Sequence, residues 1–106
     1  MKLPSRDLFE GMNKTERHRA VQLEAMKRDG QIREWWYEMI TLKLADDCRY
    51  TPDFAIVEND GMLRFEETKG FWRDDAKVKI RVAAAHLPCK FTAMRLSKGE
   101  WQTEEF

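Results

Sequence analysis

Residues 62–96 follow a strand–helix–strand pattern, which constrains the fold more than any other feature of this sequence. Residues 62–69 read as a strand, a helical pattern covers about residues 74–86, and residues 90–96 read as a further strand. Two strands connected by a helix pair in parallel through a right-handed crossover. The pattern therefore predicts an α/β fold in which these two strands share a sheet.

A hairpin is predicted before this unit. The sequence Glu-Asn-Asp-Gly at residues 58–61 is typical of a tight turn, and it separates a strand predicted at 49–57 from the strand at 62–69. Residues 32–44 are rich in aromatic and β-branched side chains and predict one more strand, while residues 101–106 predict a short edge strand or a tail. We therefore expect a small mixed β-sheet of four to five strands flanked by helices.

A first helix is predicted near the N-terminus. The sequence Asn-Lys-Thr-Glu at residues 13–16 matches a capping box, and Asp-Gly at residues 29–30 is a typical helix end. Residues 1–12 contain proline and glycine and show little periodicity. We expect residues 1–12 to form a flexible leader and residues 13–106 to form a single domain.

The charge balance gives no global attraction to nucleic acid or anionic membranes, because 19 Lys and Arg residues balance 19 Asp and Glu residues. The charge is unevenly distributed, since residues 31–70 are acidic overall and residues 71–98 are basic. An acidic site beside a basic platform would give this distribution, and so would ordinary surface variation.

Neither a membrane span nor a disulfide framework is expected. The longest stretch without Asp, Glu, Lys or Arg, residues 82–89, is far shorter than the roughly 20 residues that span a bilayer. The two cysteines lie far apart, without a CxxC motif or companion histidines at ligand spacing, which also argues against a structural zinc site. We expect a cytoplasmic protein.

The two strands of the predicted hairpin carry residues with the chemistry of a metal site. Side chains alternate along a strand, so Glu67 and Lys69 emerge on the same face, and Asp53 on the neighbouring strand can converge with them. Two carboxylates and an adjacent backbone carbonyl supply the oxygen ligands that a hard cation such as Mg²⁺ prefers. A neighbouring lysine can orient a water molecule. The metal lowers the pKa of that water and neutralises negative charge on the phosphate. This combination indicates hydrolysis of phosphodiester bonds.

The same residues carry a resemblance to a known family. Pro-Asp at residues 52–53, followed by a hairpin and Glu-x-Lys at residues 67–69, resembles the signature of the PD-(D/E)xK nuclease superfamily. The longer pattern over residues 50–75 is similar to the bacteriophage endonuclease I family of Holliday-junction-resolving enzymes and its small phage-encoded relatives. The resemblance implies a restriction-endonuclease-like core and a Mg²⁺-dependent DNA endonuclease, with Mn²⁺ able to substitute, that acts on branched or structured DNA.

The resemblance also implies roles for individual residues. Asp53 and Glu67 would bind the metal together with the backbone carbonyl of Thr68, and Lys69 would be the catalytic lysine. A homodimer is expected, because cutting both strands of a two-fold symmetric junction requires two active sites, and residues 32–44 are the candidate interface.

The family also takes a glutamate from its first helix, and Glu16 matches that position best. Glu24 lies two turns further along the same helix and remains an alternative. Glu16 also has a structural role in the capping box, so a catalytic role and a purely structural role both stay open.

Basic residues cluster beside the predicted site, at Arg73, Lys77, Lys79 and Arg81. On most helices such residues form a solvated face, but beside a metal site they are expected to contact DNA phosphates. In the preceding strand, Glu66 is expected to point away from Glu67 and to lie at the surface.

Two other functions stay open. A catalytically inactive protein with a nuclease fold could bind DNA or a host protein, although all three central residues are intact in this sequence. A nuclease that nicks or cuts linear duplex would use the same centre.

Overall fold

The structure is a computed structural model that describes residues 8–69 and 74–106. Arg73, one of the predicted DNA-binding residues, lies outside the described residues. The described chain forms helices and strands in the order α1 (Lys14–Arg28), β1 (Glu34–Tyr37), β2 (Leu42–Ala45), β3 (Cys48–Tyr50), β4 (Phe54–Val57), β5 (Leu63–Lys69), α2 (Asp74–His86), β6 (Lys90–Ser97) and β7 (Glu100–Glu105).

Five strands form one mixed sheet in the order β1-β4-β5-β6-β7. β4 and β5 form the predicted antiparallel hairpin, while β5 and β6, which flank α2 in the sequence, pair in parallel with Phe65 opposite Phe91. β7 pairs with β6 as an edge strand, which decides between the two predictions for the C-terminal residues. The prediction of a mixed α/β fold with a small mixed sheet is confirmed, and β5 is its central strand.

The predicted strands at residues 32–44 and 49–57 are each interrupted, so the prediction of two continuous strands is wrong. β1 ends at Tyr37, and the next residue, Glu38, adopts a positive φ of 48° that does not fit a strand. Pro52, which has no backbone N–H to donate, lies between β3 and β4. The inner segments β2 and β3 pair with each other instead and form a separate β2–β3 ribbon.

Two hydrophobic clusters cover the two faces of the five-stranded sheet. On β4, Phe54 and Ile56 pack in the cluster beside α1, whereas Ala55 packs in the cluster beside α2, as expected for alternating side chains. The first cluster is completed by Ala20, Leu23, Ile32 and Trp35. The second is completed by Tyr50, Phe65, Ile80, Ala83 and Phe91. The two helices therefore cover opposite faces of the sheet.

The predicted capping box of α1 is present. The Asn13 side chain accepts a hydrogen bond from the Glu16 backbone N–H (2.8 Å), and the Glu16 carboxylate accepts one from the Asn13 N–H (2.9 Å). Before the helix, Phe9 and Met12 of the predicted leader pack against the first hydrophobic cluster. Neither helix in the described part of the chain has the length and apolar composition needed to cross a membrane.

Candidate active site

A cleft of about 320 Å³ lies between the β2–β3 ribbon, the β4–β5 hairpin and α2. Charged side chains dominate its lining, and they are Glu38, Arg49, Asp53, Glu67, Lys69 and Lys79. Three of these, Asp53, Glu67 and Lys69, are the central residues predicted from the sequence. The structure therefore brings the two acids and the lysine to one cleft.

Asp53 is held at the entrance to β4 by contacts with the neighbouring strand. Phe54 lies opposite Glu66 in the β4–β5 register, so the preceding residue, Asp53, lies next to Glu67 and Thr68. The Asp53 Oδ2 atom accepts hydrogen bonds from the Thr68 backbone N–H (2.9 Å) and from the Thr68 hydroxyl (3.1 Å). Its side chain is fixed through one oxygen, and Oδ1 accepts no hydrogen bond from the described residues.

Glu67 is fixed in a similar way on β5. Its Oε1 atom accepts hydrogen bonds from the Tyr50 hydroxyl (3.0 Å) and from the Asp53 backbone N–H (3.2 Å). Its Oε2 atom lies 3.5 Å from the Lys69 Nζ atom. The Glu67 side chain is only 7% exposed, whereas the Lys69 side chain is 35% exposed, so the amine is the more accessible of the two groups.

Burial disfavours the charged forms of both acids, and repulsion from Glu67 adds to the effect at Asp53. Burial raises the pKa of Asp53 to about 7, and the neighbouring Glu67 carboxylate adds to that shift. Burial also raises the pKa of Glu67, and the charge of Lys69 offsets only part of the increase. A divalent cation bound to these carboxylates would favour their ionised forms.

The residues at this position fit Mg²⁺. No group of three or more His, Cys, Asp or Glu side chains that could hold a metal is found among residues 8–69 and 74–106. A Mg²⁺ site does not require one, because this ion retains several waters and is commonly bound by one or two carboxylates together with substrate phosphates. Asp53 and Glu67 supply that pair, each with one oxygen already fixed by the protein.

The structure distinguishes the two glutamates considered in α1. Glu16 is buried, and its Oε1 atom accepts a hydrogen bond from the Tyr37 hydroxyl (3.0 Å) in addition to its capping role. Its charge contributes to the raised pKa of Asp53, although burial and Glu67 contribute more. Glu24 accepts a hydrogen bond from the Trp35 indole N–H (3.0 Å), and neither Glu16 nor Glu24 lines the cleft. Glu16 is therefore the glutamate of α1 that acts on the site electrostatically.

The predicted basic residues of α2 separate in space. The Lys79 Nζ atom lies at the cleft and donates a hydrogen bond to the Arg49 carbonyl oxygen (3.1 Å). Lys77 instead pairs with Glu104 on β7 (3.4 Å), and Arg81 is exposed outside the cleft lining. Residues two apart on a helix point in nearly opposite directions, which explains the separation of the two lysines.

Sequence reasoning missed two residues of the cleft, Glu38 and Arg49, and the hydrogen bond that Tyr50 donates to Glu67. The Glu38 backbone N–H donates to the Asp53 carbonyl oxygen (2.9 Å), which connects the end of β1 to the site. Arg49 and Tyr50 reach the cleft because the β2–β3 ribbon folds back beside α2. No local sequence pattern predicts this packing of the ribbon on α2. The only available signal was the position of Tyr50, three residues before Asp53.

Glu66 lies on the opposite face from Glu67, as predicted, but the prediction that it is a surface residue is wrong. It is 2% exposed, and its carboxylate accepts hydrogen bonds from Arg19 (2.7 and 2.8 Å) and from Arg64. Burial favours a higher pKa for Glu66, but the hydrogen bonds and charges of both arginines outweigh it and hold that pKa below its usual value. The arginines neutralise this acid, which explains how it can be buried.

Comparisons with protein-family models, curated proteins and solved structures find no match to this chain. The fold and the cleft define a mixed α/β domain in which two buried carboxylates and a lysine converge at one end of a β-hairpin.

Proposed function

We propose that this protein is a Mg²⁺-dependent DNA endonuclease with a restriction-endonuclease-like core, and that it cleaves branched or structured DNA. The observation that carries the proposal is the convergence of Asp53, Glu67 and Lys69 in one cleft, with Glu67 Oε2 lying 3.5 Å from the amine. Two neighbouring buried carboxylates that share one partly exposed lysine are costly, so their presence calls for a functional reason. The preference for branched DNA rests on the family resemblance alone.

Each residue of this centre has a role that follows from its environment. Asp53, Glu67 and the carbonyl oxygen of Thr68 are the proposed ligands of Mg²⁺. When bound, this ion supplies positive charge for the phosphate and acidifies water. The amine of Lys69 faces the same cleft, where it can orient the attacking water and stabilise negative charge on the phosphate. Tyr50 fixes the orientation of Glu67 through its hydroxyl.

We further propose that the active form is a homodimer. A two-fold symmetric junction presents two scissile phosphates, which two copies of the site could reach together. β1, within the proposed interface at residues 32–44, is an edge strand, and edge strands offer unpaired backbone groups to a partner. A monomer in light scattering at working concentrations would argue against this assembly.

Cleavage assays on three DNA substrates test the proposed function. Purified protein is incubated with supercoiled plasmid, linear duplex and a four-way junction, with Mg²⁺, with Mn²⁺ or with EDTA. We expect cleavage of the junction with either metal and none in EDTA. Asp53→Asn and Lys69→Ala are each expected to lower the rate by about 100-fold or more. Asp46→Asn is the matched control, because the Asp46 side chain is 96% exposed and lies outside the cleft lining.

The other outcomes separate the alternatives. Tight binding of the junction without cleavage would favour an inactive nuclease-fold protein. Cleavage restricted to plasmid or linear duplex would favour the nicking or duplex-cutting enzyme. Unchanged cleavage by the Asp53→Asn and Lys69→Ala variants would show that the assigned centre is wrong.

A further inference from the structure

Arg49 and Lys79 form a cationic rim on one side of the cleft. Arg49 lies on β3 and Lys79 on α2, and both side chains are exposed. The two residues are connected by the hydrogen bond from Lys79 Nζ to the Arg49 carbonyl oxygen (3.1 Å). This bond joins the β2–β3 ribbon to α2, so the two cationic side chains belong to one local surface.

No acidic side chain that the structure describes forms an ion pair with either of these two cations. Within the described ranges, neither Arg49 nor Lys79 forms an ion pair, whereas Lys69 pairs with Glu67 and Lys77 with Glu104. Both therefore remain available to an anionic ligand. The acids of the cleft would repel a polyanionic substrate. The positive charges of Arg49 and Lys79 offset that repulsion.

We infer that Arg49 and Lys79 contact the phosphates that flank the scissile phosphate and so position the DNA backbone over Asp53 and Glu67. This inference rests on the proposed function, because it takes a phosphodiester strand as the substrate. Arg49 can form two parallel hydrogen bonds to one phosphate, while Lys79 acts as a compact charge. The phosphate track then runs along the junction of the ribbon with α2. It includes Arg49, which belongs to no basic run of the sequence.

Binding measurements with single substitutions test the inference. Fluorescence anisotropy of a labelled four-way junction is recorded with Ca²⁺ in place of Mg²⁺, and gels verify that the DNA stays intact. Arg49→Ala and Lys79→Ala are each expected to weaken binding about three- to tenfold and to reduce the slope of log affinity against log salt by about 1. Arg49→Lys should recover part of the loss, because it keeps the charge but not the paired hydrogen bonds.

Lys90→Ala is the matched control. It removes the same charge, but Lys90 pairs with Glu105 (3.2 Å) and lines a depression shared with Arg19 and Glu66 on the other face of the sheet. Its binding and its salt slope should match those of the wild type. Circular dichroism verifies that every variant folds, which is expected because Arg49 and Lys79 are exposed.

The outcomes separate this inference from the proposed function. Wild-type cleavage together with an Arg49→Ala variant that binds like Lys90→Ala would overturn the inference and leave the nuclease function standing. Binding that depends on Arg49 and Lys79 without cleavage of any substrate would support the phosphate contacts and overturn the nuclease function. Absence of DNA binding by the wild type would overturn both.

Discussion

Replacing Asp53 by asparagine is expected to stabilise the metal-free protein at alkaline pH. The asparagine side chain keeps a carbonyl oxygen that can accept the hydrogen bonds from Thr68, so the substitution retains the contacts and removes the charge. That charge is unfavourable in the folded protein, because burial and the Glu67 carboxylate both raise the pKa of Asp53. Removing it therefore relieves repulsion at the site.

The magnitude follows from the pKa of Asp53, which rises from its ordinary value of 3.8 to about 7 on folding. Between these values the folded protein retains a proton that the unfolded chain releases, so wild-type stability decreases as pH rises through this window. Each pH unit is equivalent to about 1.4 kcal/mol, so the wild type loses up to about 4 kcal/mol by about pH 8. Asp53→Asn escapes this loss, and its advantage should vanish below about pH 3, where the wild-type carboxyl is protonated in both states.

Urea unfolding in EDTA, followed by circular dichroism at several pH values, measures this difference. Asp46→Asn is the control, because the Asp46 side chain is 96% exposed and its substitution should produce no comparable pH-dependent gain. Adding Mg²⁺ at alkaline pH should stabilise the wild type more than Asp53→Asn, because only the wild type retains both proposed carboxylate ligands. An Asp53→Asn variant less stable than the wild type at about pH 8, or a difference independent of pH, would refute the electrostatic reasoning.

Two further substitutions test the groups around the central strand. Tyr50→Phe removes the hydroxyl that donates to Glu67 and should weaken Mg²⁺ binding about 10- to 100-fold in isothermal titration calorimetry. An unchanged affinity would show that this hydrogen bond does not support the site. Glu66→Gln removes the charge that balances two largely buried arginines and should lower the free energy of unfolding by about 3–5 kcal/mol in urea titrations. A loss below about 1 kcal/mol would instead match the behaviour of an exposed ion pair.

The sequence predicted the elements whose signals are local. The capping box at Asn13, the turn at residues 58–61 and the strand–helix–strand unit each depend on residues close together in the chain, and each forms as expected. The break after Tyr37 was not predicted, because it depends on a positive φ at Glu38, whose backbone N–H bonds to Asp53 fifteen residues later. Propensity favours a strand there, and this tertiary contact overrides it.

In the candidate site, too, the residues placed by local patterns could be predicted and those placed by tertiary contacts could not. Strand alternation and hairpin register suffice to bring Asp53, Glu67 and Lys69 together, and both can be read from the sequence. The Tyr50 hydrogen bond and the placement of Arg49 could not be predicted in this way, because the β2–β3 ribbon first has to form and fold beside α2. The sequence therefore predicts the central residues of the site better than the groups that surround them.

Glu66 and Glu67 give the strongest argument for where function lies in this molecule. They are adjacent on the central strand and almost equally buried, at 2% and 5% exposed, yet their environments differ in kind. On the α1 face, two arginines neutralise Glu66 and lower its pKa. On the α2 face, Glu67 lies beside a second buried acid, its one ion pair among the described residues is with the partly exposed Lys69, and its pKa is raised. The fold thus supplies enough positive charge to bury an acid on one side of the strand and too little on the other. A bound cation would supply the missing charge, and it would do so at the cleft that substrate can reach.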